Sequence, residues 1–485
     1  MVFNSGIFLQ FFAAFLLLYW LVRGSLRART TLILAASCLF YGWWSPAGDA
    51  AEPATANPLL AAVWHCRFLA LLLGTSTLDF FLARLIDQAK CQARRKQLLI
   101  LSVVANLGVL GFFKYADFFL SSVNAALEAL GVSVSSRTLG LVLPVGISFY
   151  TFQSMSYTID VYRREMPATP SLGKLLAYVA FFPQLVAGPI ERAKDLLPQF
   201  DQTRRITLEM VEQGIWLIVW GLFKKVVLAD SFAPLAEMVF GDRTFNVVSV
   251  VLGTVAFGLQ IYCDFSGYSD IARGLARVLG FELMWNFRLP YFATNLREFW
   301  QRWHISLSTW LRDYLYIPLG GNRLGPARTT VNLVTTMLLG GLWHGAAWNF
   351  ILWGFWHGLG LAVSRTAPAA AIGRRLPQPL AWLGTIVFVF YGWMLFRAGS
   401  WEQVVTMTAA LGTFAAPVWV GSYVINLVVF AVPLVVIECW QHRSGDLLVP
   451  LRWPRWARAA LQGTLLVGIV LFWDRKGATF IYFQF

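Results

Sequence analysis

Apolar runs of about twenty residues recur along the whole chain and constrain its fold more than any other feature. Of the 485 residues, 58% are hydrophobic and only 13% are charged, whereas ordinary soluble domains are about 25% charged. In lipid, every backbone polar group has to be hydrogen-bonded within the protein, so runs of this length indicate membrane-spanning helices. A transmembrane barrel would instead show shorter segments of alternating hydrophobicity. We therefore predict an all-α polytopic membrane protein.

The apolar runs predict about a dozen membrane helices in one domain over residues 1–485. We place N-terminal helices in 1–138, a central core in 139–365 and C-terminal helices in 380–485. The predicted helices lie at 7–22, 31–44, 59–82, 98–120, 139–161, 210–228, 247–262, 329–343, 346–363, 380–396, 423–439 and 461–473. The apolar segment 181–190 is too short to span and is broken by proline and glycine, which predicts a re-entrant loop. A polar loop is predicted at 49–58.

Basic residues are concentrated in the predicted loops. Arg23, Arg27 and Arg29 follow the first apolar run, and nothing basic precedes it. Because Lys and Arg accumulate on the cytoplasmic side, this polarity places the N-terminus outside and argues against a secretory signal. We assign the net charge of +14 to the same cause, since no basic stretch is long or aromatic enough to indicate nucleic-acid binding. The five cysteines show neither disulfide nor metal-ligand spacing, so no metal is expected.

His344 lies in the middle of the most apolar stretch of the chain, beside Gly341 and Gly345. An imidazole at membrane depth is costly to bury and is rarely kept without a partner or a function. The small residues leave room for a close helix or for a ligand. A core histidine bonded to a neighbouring helix is the alternative, and we favour a functional residue. His357 is its competitor, but on one unbroken helix the two would lie about 20 Å apart along the axis and could not share a site.

The longest polar block runs from 286 to 323 and contains a second candidate, His304. Helical spacing places four polar side chains of this block on one face: Arg302, Ser306, Thr309 and Asp313. Aromatic and aliphatic residues occupy the rest, which predicts an amphipathic helix at the interface rather than a spanning one. His304 falls on the aromatic side of this helix, where it is either a functional group or an imidazole packed under a tryptophan.

A short polar motif, 262–270, interrupts another apolar run with Asp264 and Asp270. Carboxylates at this depth are expected to pair with a cation, such as Arg273, or with a histidine. The sequence leaves open whether they form a structural pair or line a substrate channel.

Several catalytic motifs are absent from the sequence. It has no Gly-x-Ser-x-Gly nucleophile elbow and no phosphate-binding Gly-x-x-x-x-Gly-Lys loop. No histidine is followed by Asp after four intervening residues, and no His-x-x-x-His pair suggests zinc or di-iron. What remains is a buried imidazole without a nucleophile, which favours general-base activation of an acceptor hydroxyl.

Six segments resemble motifs of the membrane-bound O-acyltransferase family. They occur in the family's order, and the resemblance extends over nearly the whole chain. They are 143–153, 181–190, 262–270, 298–308, 313–321 and 341–345, and the ending 480–485 is similar to the bacterial branch. The resemblance implies a ring of roughly ten to twelve tilted helices, with re-entrant segments, around a central funnel in the bacterial cytoplasmic (inner) membrane. It also implies that His344 and His304 are the two active-site histidines.

The resemblance carries specific roles for these residues. His344 would act as general base or transient acyl acceptor, and His304 would orient the acceptor or stabilise the oxyanion, supported by Arg302 and Asp313. We expect substrate contacts from six residues: Trp343, Arg302, Asp313, Asp264, Tyr262 and Asn295.

The resemblance further implies transfer of an acetyl group from cytoplasmic acetyl-CoA, or another acyl thioester, to an extracytoplasmic polysaccharide such as alginate. The bacterial branch also acylates peptidoglycan and cellulose and adds D-alanine to teichoic acid, so the acceptor stays open. We expect an extracytoplasmic SGNH-type partner, surrounding membrane lipids and no bound cofactor beyond the acetyl-CoA substrate. The rival is a non-catalytic transporter or flippase. Transporters often contain repeated halves, and this chain shows no internal repeat.

Overall fold

The computed structural model of the protein describes residues 1–43, 58–132, 138–203, 205–242, 244–473 and 480–481. Within these ranges the chain forms α-helices with short 3-10 and π segments, and no strand. The all-α prediction is therefore confirmed. The polar loop predicted at 49–58 lies outside the described residues except for Pro58, which begins a helix.

The chain divides into two compact units. The first consists of Met1–Val211 with Leu275–Leu283, and the second of Glu212–Gly274 with Met284–Phe485. The α-helices of the described residues are α1 (Gly6–Val22), α2 (Leu26–Gly42), α3 (Pro58–Gln88), α4 (Gln92–Ala129), α5 (Ile147–Arg163), α6 (Leu172–Val179), α7 (Ala193–Leu196), α8 (Leu208–Leu222), α9 (Asp230–Phe240), α10 (Val247–Val278), α11 (Leu296–Arg302), α12 (Ile305–Leu311), α13 (Gly325–His344), α14 (Trp348–Ser364), α15 (Ala367–Arg375), α16 (Gln378–Arg397), α17 (Trp401–Ala410), α18 (Val420–Ser444) and α19 (Arg455–Phe472).

Each predicted membrane helix corresponds to a helix of the structure. Among the described residues, five helices are long and apolar enough to cross a membrane: Cys66–Gln88, Gln92–Ala129, Val247–Val278, Gln378–Arg397 and Val420–Ser444. Gly6–Val22 is a shorter apolar helix. The apolar runs thus predicted helices at the right places in the sequence. Fewer of these helices than predicted are both long enough and apolar enough to cross a membrane.

Two predicted boundaries are wrong for identifiable reasons. The fifth helix was expected to begin at 139, but α5 begins only at Ile147, because Gly146 adopts a left-handed conformation with φ 72°. The helix expected to end at 262 continues as α10 to Val278, because the polar groups of the 262–270 motif are paired inside the protein instead of ending the helix.

The apolar segment 181–190 of the first unit is buried and not helical, as predicted. Some of its polar groups bond to neighbouring groups of the protein. Phe182 N donates to Ser37 Oγ at 3.1 Å, and the Gln184 side-chain amide donates to Tyr178 O at 2.8 Å. Irregular backbone within an apolar protein is tolerated when protein groups satisfy it in this way. Re-entry into the membrane stays a prediction.

The hairpin of α13 and α14 organises the second unit around His344. A Cβ atom on Gly341 would collide with the backbone of Phe350, and one on Gly354 with the backbone of Met337. These glycines therefore allow the two helix backbones to touch. The chain between the helices is extended at Gly345, with φ −160°, so α13 ends at His344. Of the two uses predicted for the small residues, the structure shows a close helix.

Candidate active site

The second unit brings His304 and His344 together in a wall of aromatic rings. Their ring centroids lie 6.2 Å apart. His304 is fully buried and His344 is only 6% exposed. His344 is the last residue of α13, and His304 lies between α11 and α12, so each sits where a helix ends rather than inside one.

The backbone at His304 departs from the predicted amphipathic helix. Trp303 is extended and His304 has φ 42°, in the left-handed region. This break separates α11 from α12, so Arg302 and Ser306 do not share one helical face, and the prediction of a single helix is wrong. A non-glycine residue in this region is strained and persists only where its surroundings enforce it. Here the break turns the imidazole into the interior.

Asn286 holds the His304 ring in place. Its side-chain oxygen accepts hydrogen bonds from Ser306 N at 3.2 Å and Ser306 Oγ at 2.9 Å, and it lies 3.1 Å from His304 Nδ1. Its amide nitrogen donates to Ser269 Oγ at 3.1 Å. A backbone N–H can only donate, so the atom facing Ser306 is the oxygen, and the bond to His304 requires the proton on Nδ1.

This arrangement sets the protonation state of His304. Because Nδ1 carries the proton, Nε2 carries the lone pair. Burial and the neighbouring His344 ring hold the pKa of His304 well below its usual value, so the imidazole is neutral at physiological pH. A neutral ring in this tautomer accepts hydrogen bonds at Nε2 and does not donate them there.

Aromatic side chains surround His344. The Trp343 ring lies 5.1 Å from His344 and 5.9 Å from His304, so this predicted substrate residue does join the pair. Trp353 of α14 meets His344 edge-on at 5.1 Å, and Phe396 lies at 5.5 Å. Such walls exclude water and strengthen polar interactions inside the site.

His357 lies on α14, so the unbroken helix imagined for the two histidines does not exist. The His357 ring is 4.9 Å from Trp353, which also contacts His344. The two histidines are therefore linked through one tryptophan, which linear spacing along one helix could not have revealed.

Arg302 and Asn295 contact neither histidine through a hydrogen bond or an ion pair in the described part of the chain. Arg302 forms an ion pair with Glu298 at 2.6 Å and donates to Leu289 O at 3.4 Å. Asn295 caps α11 by accepting from Glu298 N at 2.9 Å. In the structure, Asn286 holds the bend at His304. The support of His304 by Arg302 and the substrate contacts of Arg302 and Asn295 stay predictions.

Asp313 forms an ion pair with the adjacent Arg312 at 2.7 Å, in a π segment that follows α12. Its support of His304 and its contact with substrate stay predictions.

The predicted arginine or histidine partners of the 262–270 carboxylates are also wrong. Two consecutive lysines pair with them: Lys224 with Asp270 at 2.6 Å and Lys225 with Asp264 at 2.6 Å. Both lysines lie in a π segment, Phe223–Ala229, whose altered helical turn changes the direction of successive side chains. Arg273 instead lies over the Trp285 ring at 4.0 Å.

The same network holds Tyr262 and part of the C-terminal motif. The Tyr262 hydroxyl donates to Glu438 Oε1 at 2.5 Å. Ile481 N donates to the second oxygen of Asp264 at 2.9 Å, and the Phe480 ring faces Lys225 at 4.6 Å. Asp264 thus forms a structural pair with Lys225, and the substrate contacts predicted for Asp264 and Tyr262 stay predictions. The motif residues 482–485 lie outside the described part.

The sequence analysis did not identify the residues that orient and surround His304. Asn286 and Ser306 orient His304, and Phe265 meets its ring edge-on at 4.6 Å. Asn286 opens the polar block, which was a weak signal, but no spacing rule relates an asparagine in an irregular segment to a distant histidine. Among the residues that the structure describes, no three His, Cys, Asp or Glu side chains form a metal-ligand group.

Comparison with known proteins decides the family. The sequence model of the membrane-bound O-acyltransferase (MBOAT) family matches residues 154–398, which contain both histidines and Asn286. The chain belongs to this family. It is therefore a multi-pass membrane protein and an acyltransferase.

Three similar proteins have names that state an activity. The chain is 44% identical to the probable alginate O-acetylase AlgI of Azotobacter vinelandii over 85% of this chain and 78% of that protein. It is equally similar, 44%, to the probable alginate O-acetylase AlgI of Pseudomonas aeruginosa, over 85% of this chain and 75% of that one. A peptidoglycan O-acetyltransferase of Helicobacter pylori is 38% identical over 70% of this chain and 69% of its own length. These similarities indicate membrane O-acyl transfer.

Proposed function

We propose that this protein takes an acetyl group from cytoplasmic acetyl-CoA and passes it across the membrane for O-acetylation of an extracytoplasmic polysaccharide such as alginate. The observation that carries the proposal is the buried pair His304 and His344, 6.2 Å apart, in a chain 44% identical to relatives named alginate O-acetylases. Imidazoles beside a water-poor aromatic wall suit proton transfer between a hydroxyl and a thioester.

His344 acts as the general base in this proposal. It removes the proton from the acceptor hydroxyl while the oxygen attacks the carbonyl carbon of the thioester. The tetrahedral intermediate then collapses, the C–S bond breaks, and the proton from His344 is returned to the CoA thiolate. General-base catalysis of this kind contributes about 10²–10⁴-fold in rate.

His304 orients the acceptor. Two roles were open for it, orientation of the acceptor or stabilisation of the oxyanion. Its proton is on Nδ1, committed to Asn286, so Nε2 can only accept a hydrogen bond. An oxyanion needs donors, whereas a hydroxyl or amide of the acceptor offers a proton to Nε2. The tautomer therefore favours the orienting role.

A soluble extracytoplasmic protein of the SGNH type receives the acyl group and places it on the polymer. The two histidines are 0% and 6% exposed, and a long polysaccharide cannot bring its many hydroxyls into such a site. In this proposal the N-terminus lies outside the cytoplasmic membrane and a basic surface faces the anionic donor, which the basic residues that follow α1 support.

Reconstitution tests the proposal. The purified protein in liposomes, with labelled acetyl-CoA and the candidate partner, should transfer label to the partner or polymer. Absence of both transfer and thioester hydrolysis would favour a transporter. A preference for a D-alanyl carrier thioester in a donor-swap assay would replace acetyl transfer by D-alanyl transfer. Full polymer acetylation without the partner would contradict the relay.

A further inference from the structure

Three ring systems, one of which contacts His344, carry nitrogens that find no hydrogen-bond partner among the described residues. They belong to Trp300, Trp353 and His357, which we call the indole–imidazole cluster. The Trp353 ring lies 5.7 Å from Trp300 and 4.9 Å from His357, and Trp300 lies 5.1 Å from His357. Trp353 is 1% exposed and His357 is fully buried. The cluster is therefore a compact group inside the second unit.

No described residue around the cluster accepts a hydrogen bond from its ring nitrogens. Phe299 and Phe388 complete the surroundings of His357, with ring centroids at 6.2 and 5.6 Å. A Cβ atom on Gly392 would lie 2.8 Å from His357 Nε2, so this nitrogen faces bare backbone at a position without a side chain. Buried polar groups in native proteins are nearly always satisfied, and groups that the protein leaves unpaired are commonly completed by a ligand or by water.

The chemistry of the cluster specifies what it binds. Each indole contributes one N–H donor, and a neutral imidazole contributes one donor and one acceptor. Three donors against one acceptor match a group rich in lone pairs and poor in protons. The acyl carbonyl is such a group, and its oxygen becomes an anion during transfer. Trp353 touches His344 edge-on at 5.1 Å, so the cluster lies beside the proposed base.

We propose that the indole–imidazole cluster binds the carbonyl oxygen of the acyl donor and stabilises the oxyanion of the tetrahedral intermediate, an assignment that rests on the proposed acyl transfer. When the acceptor oxygen bonds to the carbonyl carbon, the carbonyl π electrons move onto the carbonyl oxygen. This oxyanion accepts hydrogen bonds from the indole N–H groups. When the C–S bond breaks, the electrons return to restore the C=O bond. His304 binds the acceptor from its own side, and the cluster binds the donor.

Trp353→Phe tests the proposal, because it removes the N–H and keeps an aromatic ring. Trp216→Phe is the matched control: the Trp216 indole is 1% exposed and its nitrogen also has no partner in the described chain, but it stacks on Trp220 in α8. Loss of one oxyanion donor costs about 10²–10³-fold in turnover. We expect a loss of this order in kcat for Trp353→Phe, a smaller loss for Trp300→Phe, and wild-type kcat for Trp216→Phe.

A donor with sulfur in place of the carbonyl oxygen supplies a readout that packing does not change. Sulfur accepts hydrogen bonds weakly. The wild type should therefore prefer acetyl-CoA strongly over its dithioester analogue, and Trp353→Phe should reduce this preference. Equal kcat and equal donor preference in Trp353→Phe and Trp216→Phe would overturn the proposal. A fall in the thermal stability of Trp353→Phe without a change in kcat would also overturn it, because the cluster would then bind an ordered water only. In both cases, loss of acyl transfer in His344→Ala would still support the proposed acyl-transfer function of the protein.

Discussion

Two polar regions of the second unit, the histidine pair and the lysine–aspartate network, solve the problem of burial in opposite ways. In the network, each lysine faces a carboxylate: Lys224 meets Asp270 and Lys225 meets Asp264, both at 2.6 Å. At the histidine pair, the two rings lie among tryptophans instead, and the imidazole of His304 is neutral.

The difference separates scaffold from chemistry. A network whose charges are matched inside the protein has little capacity left for a substrate, and its loss should reduce folding. A neutral ring whose lone pair is fixed by a partner can exchange protons, and its loss should reduce turnover.

The largest expected effect is on stability, in the network. Lys225→Ala leaves Asp264 buried without its cation, which typically costs about 3–5 kcal/mol. Arg397→Ala is the matched control, because its pair with Glu237 at 2.5 Å is on the surface, where such pairs contribute about 0–1 kcal/mol. Thermal unfolding in detergent should show a large loss for the first variant alone. Equal losses would remove the distinction between network and surface pair.

The helices of the second unit could be predicted from the sequence, whereas the contacts of its two polar regions could not. Helices such as α13 and α14 follow from apolar runs, because a continuous apolar run in lipid has few alternatives to a helix. The left-handed backbone at His304 was not predictable, because it depends on Asn286, which reaches it across an irregular segment. The lysine partners were missed because a π segment, which leaves no clear mark in hydropathy, directs them toward α10.

An intermediate effect is expected on the histidine side, from the residue that orients His304. Asn286→Ala removes the acceptor of the Nδ1 proton, so both tautomers of His304 become populated and orientation is lost. Turnover should fall about 10²-fold in protein that still inserts. The unfolding temperature should also fall, because Ser306 and Ser269 lose the buried partner that Asn286 supplies. Ser308→Ala, which removes only a hydroxyl bonded to Trp303 O, serves as the control. Normal turnover in Asn286→Ala would show that the tautomer is not part of the mechanism.

The smallest effect is expected at Arg302, which sequence reasoning placed in the site and the structure pairs with Glu298. Both side chains are 25% exposed, so breaking the pair should cost at most about 1 kcal/mol. Arg302→Gln and Glu298→Gln should then have the same modest effect on stability and leave KM unchanged. A rise in KM confined to Arg302→Gln would return this residue to the substrate path.

The central claim is that His344 performs the proton transfer, and single-turnover consumption of labelled acetyl-CoA in liposomes tests it most directly. His344→Ala should insert in normal amounts and lose acyl transfer by about 10²–10⁴-fold. His442→Ala is the control, because that ring stacks on Phe292 at 4.5 Å near the end of α18 and contacts neither His304 nor His344 in the described part of the chain. It should transfer label at the wild-type rate. Near-normal transfer by correctly inserted His344→Ala would contradict the assignment of the base.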